Sequence, residues 1–250
     1  MTGRRAVLAG LLGTSLSRQV PGAQPGPVRV ERLLRAYPDH LSRAEGDVLV
    51  WRDGTRMAMG TGLPERTFEA MLQGATIADQ LRQVYEPGRP SGPPPPDHSP
   101  GRIRNTEFFV KMYGDCRFER PHRRVSWIGG QSLPVSTVND VAGRLERVVA
   151  GLQTLPDRFR AYLVPSAGTF NCRPVADTGL PSMHGYAAAI DVNVRSSDYW
   201  VWARNRGEVP YRNRIPFEIV EVFEAERFIW GGKWYHYDTM HFEYRPELLG

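Results

Sequence analysis

Two short stretches of the sequence contain residue types that can bind and activate a metal ion. Residues 182–191 (SMHGYAAAID) contain His184 and Asp191, and residues 238–243 (DTMHFE) contain His241. Two imidazoles and one carboxylate form a ligand set that suits zinc, and three protein ligands leave a fourth tetrahedral position open for water. A catalytic metal ion requires such an open position. The pattern therefore predicts one zinc site assembled from two halves that are distant in sequence.

The second stretch also contains an additional carboxylate, Asp238, three positions before His241. One turn or an extended loop would aim both side chains at one point, so that one binds the ion while the other handles a proton. His236 is the competing imidazole in this region, and we expect it beside the ligands or at the surface instead. Glu243 has two interpretations, neither of them catalytic: it bonds a histidine that lies beside the ligands, or it covers a strand face.

The elements that must position these residues are strands and helices without a regular βαβ repeat, which predicts an α+β fold. Residues 188–192 are typical of a strand in which Ile190 faces the core and Asp191 the open face. Apolar periodicity and turn signals predict the other elements. Helices are expected over residues 30–37, 67–85, 138–155 and 216–225, and strands over residues 48–51, 56–59, 106–114, 127–128 and 161–164.

The first 23 residues have the character of an export signal. Arg4 and Arg5 precede an apolar run over residues 6–16 that is too short to anchor the chain in a bilayer. The arginine pair directly before this run is typical of the twin-arginine class, which is exported in the folded state. The alternative is a buried N-terminal helix. We expect an exported protein, periplasmic, cell-wall-associated or extracellular, without a stable membrane span in the mature chain.

A Pro- and Gly-rich stretch over residues 87–101 interrupts the periodic pattern and predicts a semi-rigid linker. It separates an N-terminal accessory segment, residues 24–86, from a catalytic domain, residues 102–250. The sequence leaves open whether the accessory segment packs onto that domain. It also leaves open whether Cys116 and Cys172, its two cysteines, form a disulfide, which an exported protein permits.

The charge of the chain argues against nucleic-acid binding. The formal net charge is +5, but only two of the 32 basic residues are lysines, and no basic run is interleaved with aromatic residues. A basic surface equally suits an anionic cell-wall polymer.

Taken together, the motifs resemble those of the VanY-like M15 family of zinc peptidases, which contains D-alanyl-D-alanine carboxypeptidases and L-alanyl-D-glutamate endopeptidases. The resemblance rests on Ser-x-His-x6-Asp at residues 182–191 and on the carboxylate shortly before His-Phe-Glu at residues 238–243, and it is strongest from about residue 162 to residue 246. It implies a hedgehog/DD-peptidase-like catalytic domain with an antiparallel sheet and flanking helices. Zinc would be the cofactor and a peptidoglycan stem peptide the substrate.

The resemblance also implies roles for single residues of this sequence. The implied zinc ligands are His184, Asp191 and His241. Asp238 matches the catalytic base, and Arg173 and Ser182 match positions near the substrate. The implied reaction is removal of a terminal D-alanine. Because the carboxypeptidase branch commonly has glutamate at the position of Asp238, internal cleavage after L-alanine is an alternative, and an inactive zinc-bearing wall-binding module is another.

Overall fold

The computed structural model describes residues 27–64, 66–118, 120–175, 178–203 and 209–249. In this part of the chain, eight α-helices and three small antiparallel sheets form a mixed structure, so the predicted α+β class is confirmed. No helix in the described part is both long enough and apolar enough to cross a lipid bilayer. The expected export signal, residues 1–23, lies outside the described residues.

The N-terminal segment contains a helix, a three-stranded sheet and two short helices. Their bounds are α1 Pro27–Ala36, β1 Leu41–Glu45, β2 Val48–Trp51, β3 Arg56–Ala58, α2 Phe68–Gly74 and α3 Ile77–Gln80. The single helix expected over residues 67–85 is wrong, because Thr76 starts a new helix. Its hydroxyl accepts a hydrogen bond from the N–H of Asp79, whose carboxylate accepts one from the N–H of Thr76.

Three predicted strands in the middle of the chain are wrong. The observed elements are α4 Thr106–Tyr113, β4 His122–Ser126, β5 Ser132–Ser136, α5 Val141–Gln153 and α6 Arg160–Leu163. Residues 106–114 form α4, which Asn105 caps by accepting a hydrogen bond from the N–H of Phe108. Residues 127–128 lie in the connection between β4 and β5, and residues 161–164 lie mostly in α6. Short apolar runs fit a buried helix as well as a strand, which explains these errors.

The third sheet brings the two sequence motifs together. The elements of this last part are β6 Ala189–Asp191, α7 Trp200–Ala203, α8 Phe217–Ala225, β7 Phe228–Trp230 and β8 His241–Tyr244. Strand β8 lies between β6 and β7, and Asp191 pairs directly with His241 in the antiparallel register. Opposite residues of an antiparallel pair project from the same face of the sheet. On the other face, Phe242 of β8 stacks on Phe223 of α8 with ring centroids 3.9 Å apart.

The N-terminal segment packs against the rest of the chain. Leu33 and Tyr37 are fully buried and belong to the same hydrophobic core as Phe108 and Phe242. The N–H of Tyr85 also donates a hydrogen bond to the carbonyl of Leu248 at 3.0 Å. The segment therefore packs onto the expected catalytic domain, although the division of the chain at residues 87–101 stays a prediction.

Candidate metal centre

Local structure places the three predicted ligands at one end of the third sheet. Asp191 is the last residue of β6, and His241 is the first residue of β8. His184 lies in a 3-10 turn, Met183–Tyr186, directly before β6. The turn closes at Ala187, which has a φ of 53°, and the N–H of Ala187 donates to the carbonyl of His184 at 3.0 Å. This reversal brings His184 back over the end of the strand pair.

The ligand atoms of the three residues form an equilateral triangle. His184 Nε2, His241 Nδ1 and Asp191 Oδ1 are each 3.1 Å from the other two. Tetrahedral zinc with ligands at 2.0–2.2 Å has neighbouring ligands about 3.3 Å apart, so the triangle matches one face of such a site. Within the described ranges, His184, Asp191 and His241 form a group whose ligand atoms lie close enough together to bind one metal ion.

The outer hydrogen bonds of both imidazoles favour a cation at the centre of this triangle. His184 Nδ1 lies 3.1 Å from the carbonyl oxygen of Thr169, and His241 Nε2 lies 2.9 Å from Glu243 Oε2. Carbonyl and carboxylate oxygens accept hydrogen bonds, so these outer nitrogens carry the ring protons. In the neutral imidazoles two lone pairs and a carboxylate oxygen then face one another. A divalent cation would satisfy all three, and hydrogen bonds of this kind commonly orient metal-binding histidines.

The electrostatics of the site favour an ionised Asp191 beside a protonated His241. Burial disfavours the charged form of Asp191, but the adjacent His184 and His241 hold the pKa of its carboxyl well below the usual range. Burial likewise disfavours imidazolium at His241, but its hydrogen bonds to Asp191 and Glu243 raise its pKa to about 10. Because a ligating histidine must be neutral, a metal ion bound by His241 would displace a proton from it at neutral pH.

Asp238 is held beside the ligands by its backbone. Its N–H donates to the carbonyl of Gly231 at 3.0 Å, and its own carbonyl accepts from the N–H of His241 at 3.2 Å. A Cβ atom on residue 231 would lie 2.4 Å from the carbonyl oxygen of Asp238, so this close approach requires glycine. The side chain of Asp238 therefore has a defined position in the same cleft as the three ligands.

The carboxyl group of Asp238 has unusual surroundings. Its Oδ1 is buried and has no hydrogen-bond partner among the described residues. Burial, and secondly the nearby negative charge of Asp191, raise the pKa of Asp238 to about 7. Buried polar atoms are nearly always hydrogen-bonded, and strongly shifted pKa values cluster at functional sites, so both features mark Asp238 as a candidate functional group.

One cleft of about 270 Å³ contains all six predicted site residues. Arg173 lies exposed in its wall, and Ser182 is half-buried there. Arg102 and Arg104 contribute further cationic side chains. The structure thus brings the predicted ligands, base and substrate residues together, while their roles stay predictions.

His236 also lines this cleft but lies outside the triangle of ligand atoms. Its Nδ1 is 3.4 Å from Ser99 Oγ, and its ring stacks on Phe68 at 5.4 Å between centroids. This position agrees with the expectation that His236 lies beside the ligands.

A disulfide joins Cys116 to Cys172, with their Cα atoms 5.4 Å apart. Cys172 directly precedes Arg173, and a Cβ atom on Gly185 would lie 3.8 Å from Cys116 Cβ. The disulfide therefore ties the loop before Arg173 to the segment after α4, and Cys116 of that segment lies beside the turn that contains His184. It also decides the question that the sequence left open for the two cysteines.

Sequence reasoning missed two parts of the site. The carbonyl of Thr169, which orients His184, had no signal in the sequence, because any residue type supplies a carbonyl. Glu243 was expected to bond a histidine beside the ligands or to cover a strand face, but it contacts His241, itself a candidate ligand. Its spacing of two residues from His241 in a strand was the available signal, because such residues share a face.

A model of the family described as D-alanyl-D-alanine carboxypeptidase, in the M15 group of peptidases, matches residues 176–244. The matched segment contains all three candidate ligands, Ser182 and Asp238, and begins after Arg173. The match supports the resemblance to M15 peptidases without distinguishing the VanY-like branch. No curated protein and no solved structure matches the chain.

Proposed function

We propose that the protein is an exported zinc metallopeptidase that hydrolyses peptide bonds in peptidoglycan stem peptides, with D-alanyl-D-alanine carboxypeptidase-like activity. The observation that carries the proposal is the triangle of three ligand atoms, 3.1 Å apart, in one cleft with the unsatisfied carboxylate oxygen of Asp238. The family match over residues 176–244 supports the same class of enzyme.

In the proposed mechanism, His184, Asp191 and His241 would hold a zinc ion. When bound, the ion would supply a Lewis acid and lower the pKa of a water molecule. Asp238 accepts a proton from the attacking water while the water oxygen bonds to the carbonyl carbon of the scissile peptide. When the carbon–nitrogen bond breaks, Asp238 returns the proton to the leaving amine.

The charges of the cleft support a substrate with a free carboxylate. Arg102, Arg104 and Arg173 all line the cleft beside the candidate ligands. Guanidinium groups bind carboxylates through paired hydrogen bonds, and a stem peptide that ends in D-alanine presents a terminal carboxylate. Arg173 is the exposed member of the three, so we assign it to substrate binding, together with Ser182.

The disulfide supports an exported location, because disulfides persist in oxidising compartments and are rare in the cytosol. This argument does not depend on the N-terminal residues that suggested export.

An L-alanyl-D-glutamate endopeptidase is the second candidate function. The observation that favours it is the aspartate at position 238, which is more typical of the endopeptidase branch. An inactive wall-binding module is less well supported, since both the ligand triangle and the carboxylate of Asp238 are intact.

A digest of defined muropeptides tests the proposal. The purified chain would be incubated with them with zinc, with a chelator, and with zinc restored after chelation. Chelator-sensitive release of D-alanine is the expected result. New L-alanyl and D-glutamyl ends would assign the endopeptidase activity instead. Zinc binding without any chelator-sensitive cleavage would support the inactive wall-binding module instead of an enzyme.

A further inference from the structure

Behind the candidate metal centre, alternate positions of β8 and the residues after it form a buried row of ionisable side chains. The row consists of His241, Glu243, Arg245 and Glu247, with relative exposures of 7%, 0%, 0% and 2%. Four ionisable side chains in succession are rarely buried unless each has a partner. We call this set the charge row.

Direct contacts connect the members of the charge row. Glu243 Oε2 lies 2.9 Å from His241 Nε2, and Arg245 Nη1 donates to Glu243 Oε1 at 3.0 Å. Arg245 Nε donates to Glu247 Oε1 at 2.6 Å. One arginine therefore links the carboxylate that orients a candidate zinc ligand to a second carboxylate farther from the cleft.

The far end of the charge row is held by the N-terminal segment. Tyr37, which follows α1, donates its hydroxyl hydrogen to Glu247 Oε2 at 2.6 Å. Gln80, the last residue of α3, donates from Nε2 to Glu247 Oε1 at 3.2 Å. Both residues have 0% exposure. Gln80 is itself fixed, because its Oε1 accepts a hydrogen bond from the N–H of Asn105 at 3.0 Å.

Burial makes the orientation of each group depend on its neighbours. In a medium of low polarity an ionised carboxylate that loses a donor is costly, so it reorients toward the donors that remain. If Tyr37 is removed, Glu247 is left with Arg245 and Gln80, and Arg245 is drawn toward Glu247. The hydrogen bond from Arg245 to Glu243 is then weakened, so the carboxylate of Glu243 shifts. This shift changes the hydrogen bond that orients the His241 ring.

We propose that Tyr37 and Gln80 are positioning residues for the zinc ligand His241, acting through Glu247, Arg245 and Glu243. The inference rests on the proposed zinc-dependent function and extends it to residues far outside the segment that matches the peptidase family. The N-terminal segment thereby becomes a part of the metal centre rather than an appendage.

The test compares two tyrosine variants of the full chain. Tyr37→Phe removes the hydroxyl that contacts the charge row. Tyr85→Phe is the matched control, because Tyr85 has 1% exposure, lies in the same N-terminal segment and also donates to a carboxylate of the C-terminal part, Glu224. Glu224 pairs with Lys233 and lies outside the charge row. Only the first variant should alter the metal centre.

Zinc affinity, measured by competition with a chelator, is the first readout. Glu243→Gln should weaken zinc binding about 10- to 100-fold, as is typical for the partner of a ligating histidine. We expect a loss of about 3- to 10-fold in Tyr37→Phe, which acts through more intermediates, and less than about 2-fold in Tyr85→Phe. Gln80→Met, which removes the second donor to Glu247, should match Tyr37→Phe and serves if that variant does not fold.

Cobalt substitution and kinetics provide readouts that a purely structural role would not change. The visible absorption of the Co²⁺ form should shift in Tyr37→Phe and not in Tyr85→Phe, and kcat should fall with KM unchanged. Equal zinc affinities and equal spectra in the two variants would overturn the inference while leaving the function intact. A wild-type chain that binds no zinc would instead overturn the proposed function.

Discussion

The two walls of the cleft hold the two candidate histidine ligands in different ways. The loop wall, residues 168–173 and 182–184, contains His184, whose side chain is 14% exposed and whose ring is oriented by a backbone carbonyl. The strand wall, residues 238–247, contains His241, whose side chain is 9% exposed and whose ring is oriented by the buried carboxylate of Glu243. A covalent link ties down the first wall, whereas buried ion pairs fix the second.

Because of this difference, we expect the two walls to have different functional roles. The strand wall contains the candidate base and a ligand whose orientation depends on charges, so it should determine the chemical step. The loop wall contains Arg173 and Ser182 beside the disulfide, so it should determine how the substrate is held.

The largest expected effect is the loss of Asp238 from the strand wall. Asp238→Asn should lower kcat about 100- to 10,000-fold, because the variant cannot accept a proton. Zinc should remain bound, which metal analysis of the purified protein would verify. Arg173→Ala in the loop wall should mainly raise KM in the same steady-state assay with a stem peptide. An Asp238→Asn protein with the wild-type rate would remove Asp238 from the role of base.

The disulfide should have the next largest effect. Its cysteines are 56 residues apart, and removing such a link by Cys116→Ser with Cys172→Ser should lower the free energy of unfolding by about 2–4 kcal/mol in a denaturant titration. KM should rise, because the loop before Arg173 is released, while zinc affinity should fall less than in Glu243→Gln. If removing the disulfide lowered zinc affinity as much as Glu243→Gln does, the two walls would contribute equally to zinc binding.

The smallest expected effect is on the pH dependence of the free energy of unfolding of the metal-free protein. Burial raises the pKa of Asp238 to about 7 in the folded state, far above that of an exposed aspartate. Between pH 5 and 6 the folded state therefore binds a proton that the unfolded state has lost. The contribution of Asp238 to stability falls as pH rises through this range, by about 1 kcal/mol per pH unit.

Asp238→Asn cannot titrate, so its free energy of unfolding should fall less steeply with pH than that of the wild type. Urea titrations of both metal-free proteins at several pH values would measure this difference. The same comparison with Asp157→Asn, a change at an exposed aspartate outside the cleft, controls for the substitution itself. Parallel pH curves for Asp238→Asn and the wild type would show that Asp238 is already ionised at pH 5.

Several helices and strands were predicted correctly where turn residues or apolar periodicity mark them in the sequence. Strands β2 and β3, with Asp53-Gly54 between them, and helix α8 after Pro216 agree with the predictions, because turn residues and periodicity mark them. Helices α4 and α6 were expected as strands. Their short apolar runs do not specify a period, so the tertiary environment decided the secondary structure.

The sequence by itself determined which groups are available for chemistry: His184, Asp191 and His241 with zinc-binding atoms, and Asp238 nearby. This was possible because residue type and spacing along one strand and one turn are local properties. Only the tertiary structure decided that β6 pairs with β8 in the register that opposes Asp191 to His241.

The tertiary structure also decided which residues support the ligands. Tyr37 is 210 positions from Glu247, and Gln80 is 167 positions from it, yet both contact its carboxylate. No local pattern in the sequence relates residues at such separations. Their meeting depends on how the N-terminal segment packs against the end of β8, and burial then makes each charge depend on its neighbours.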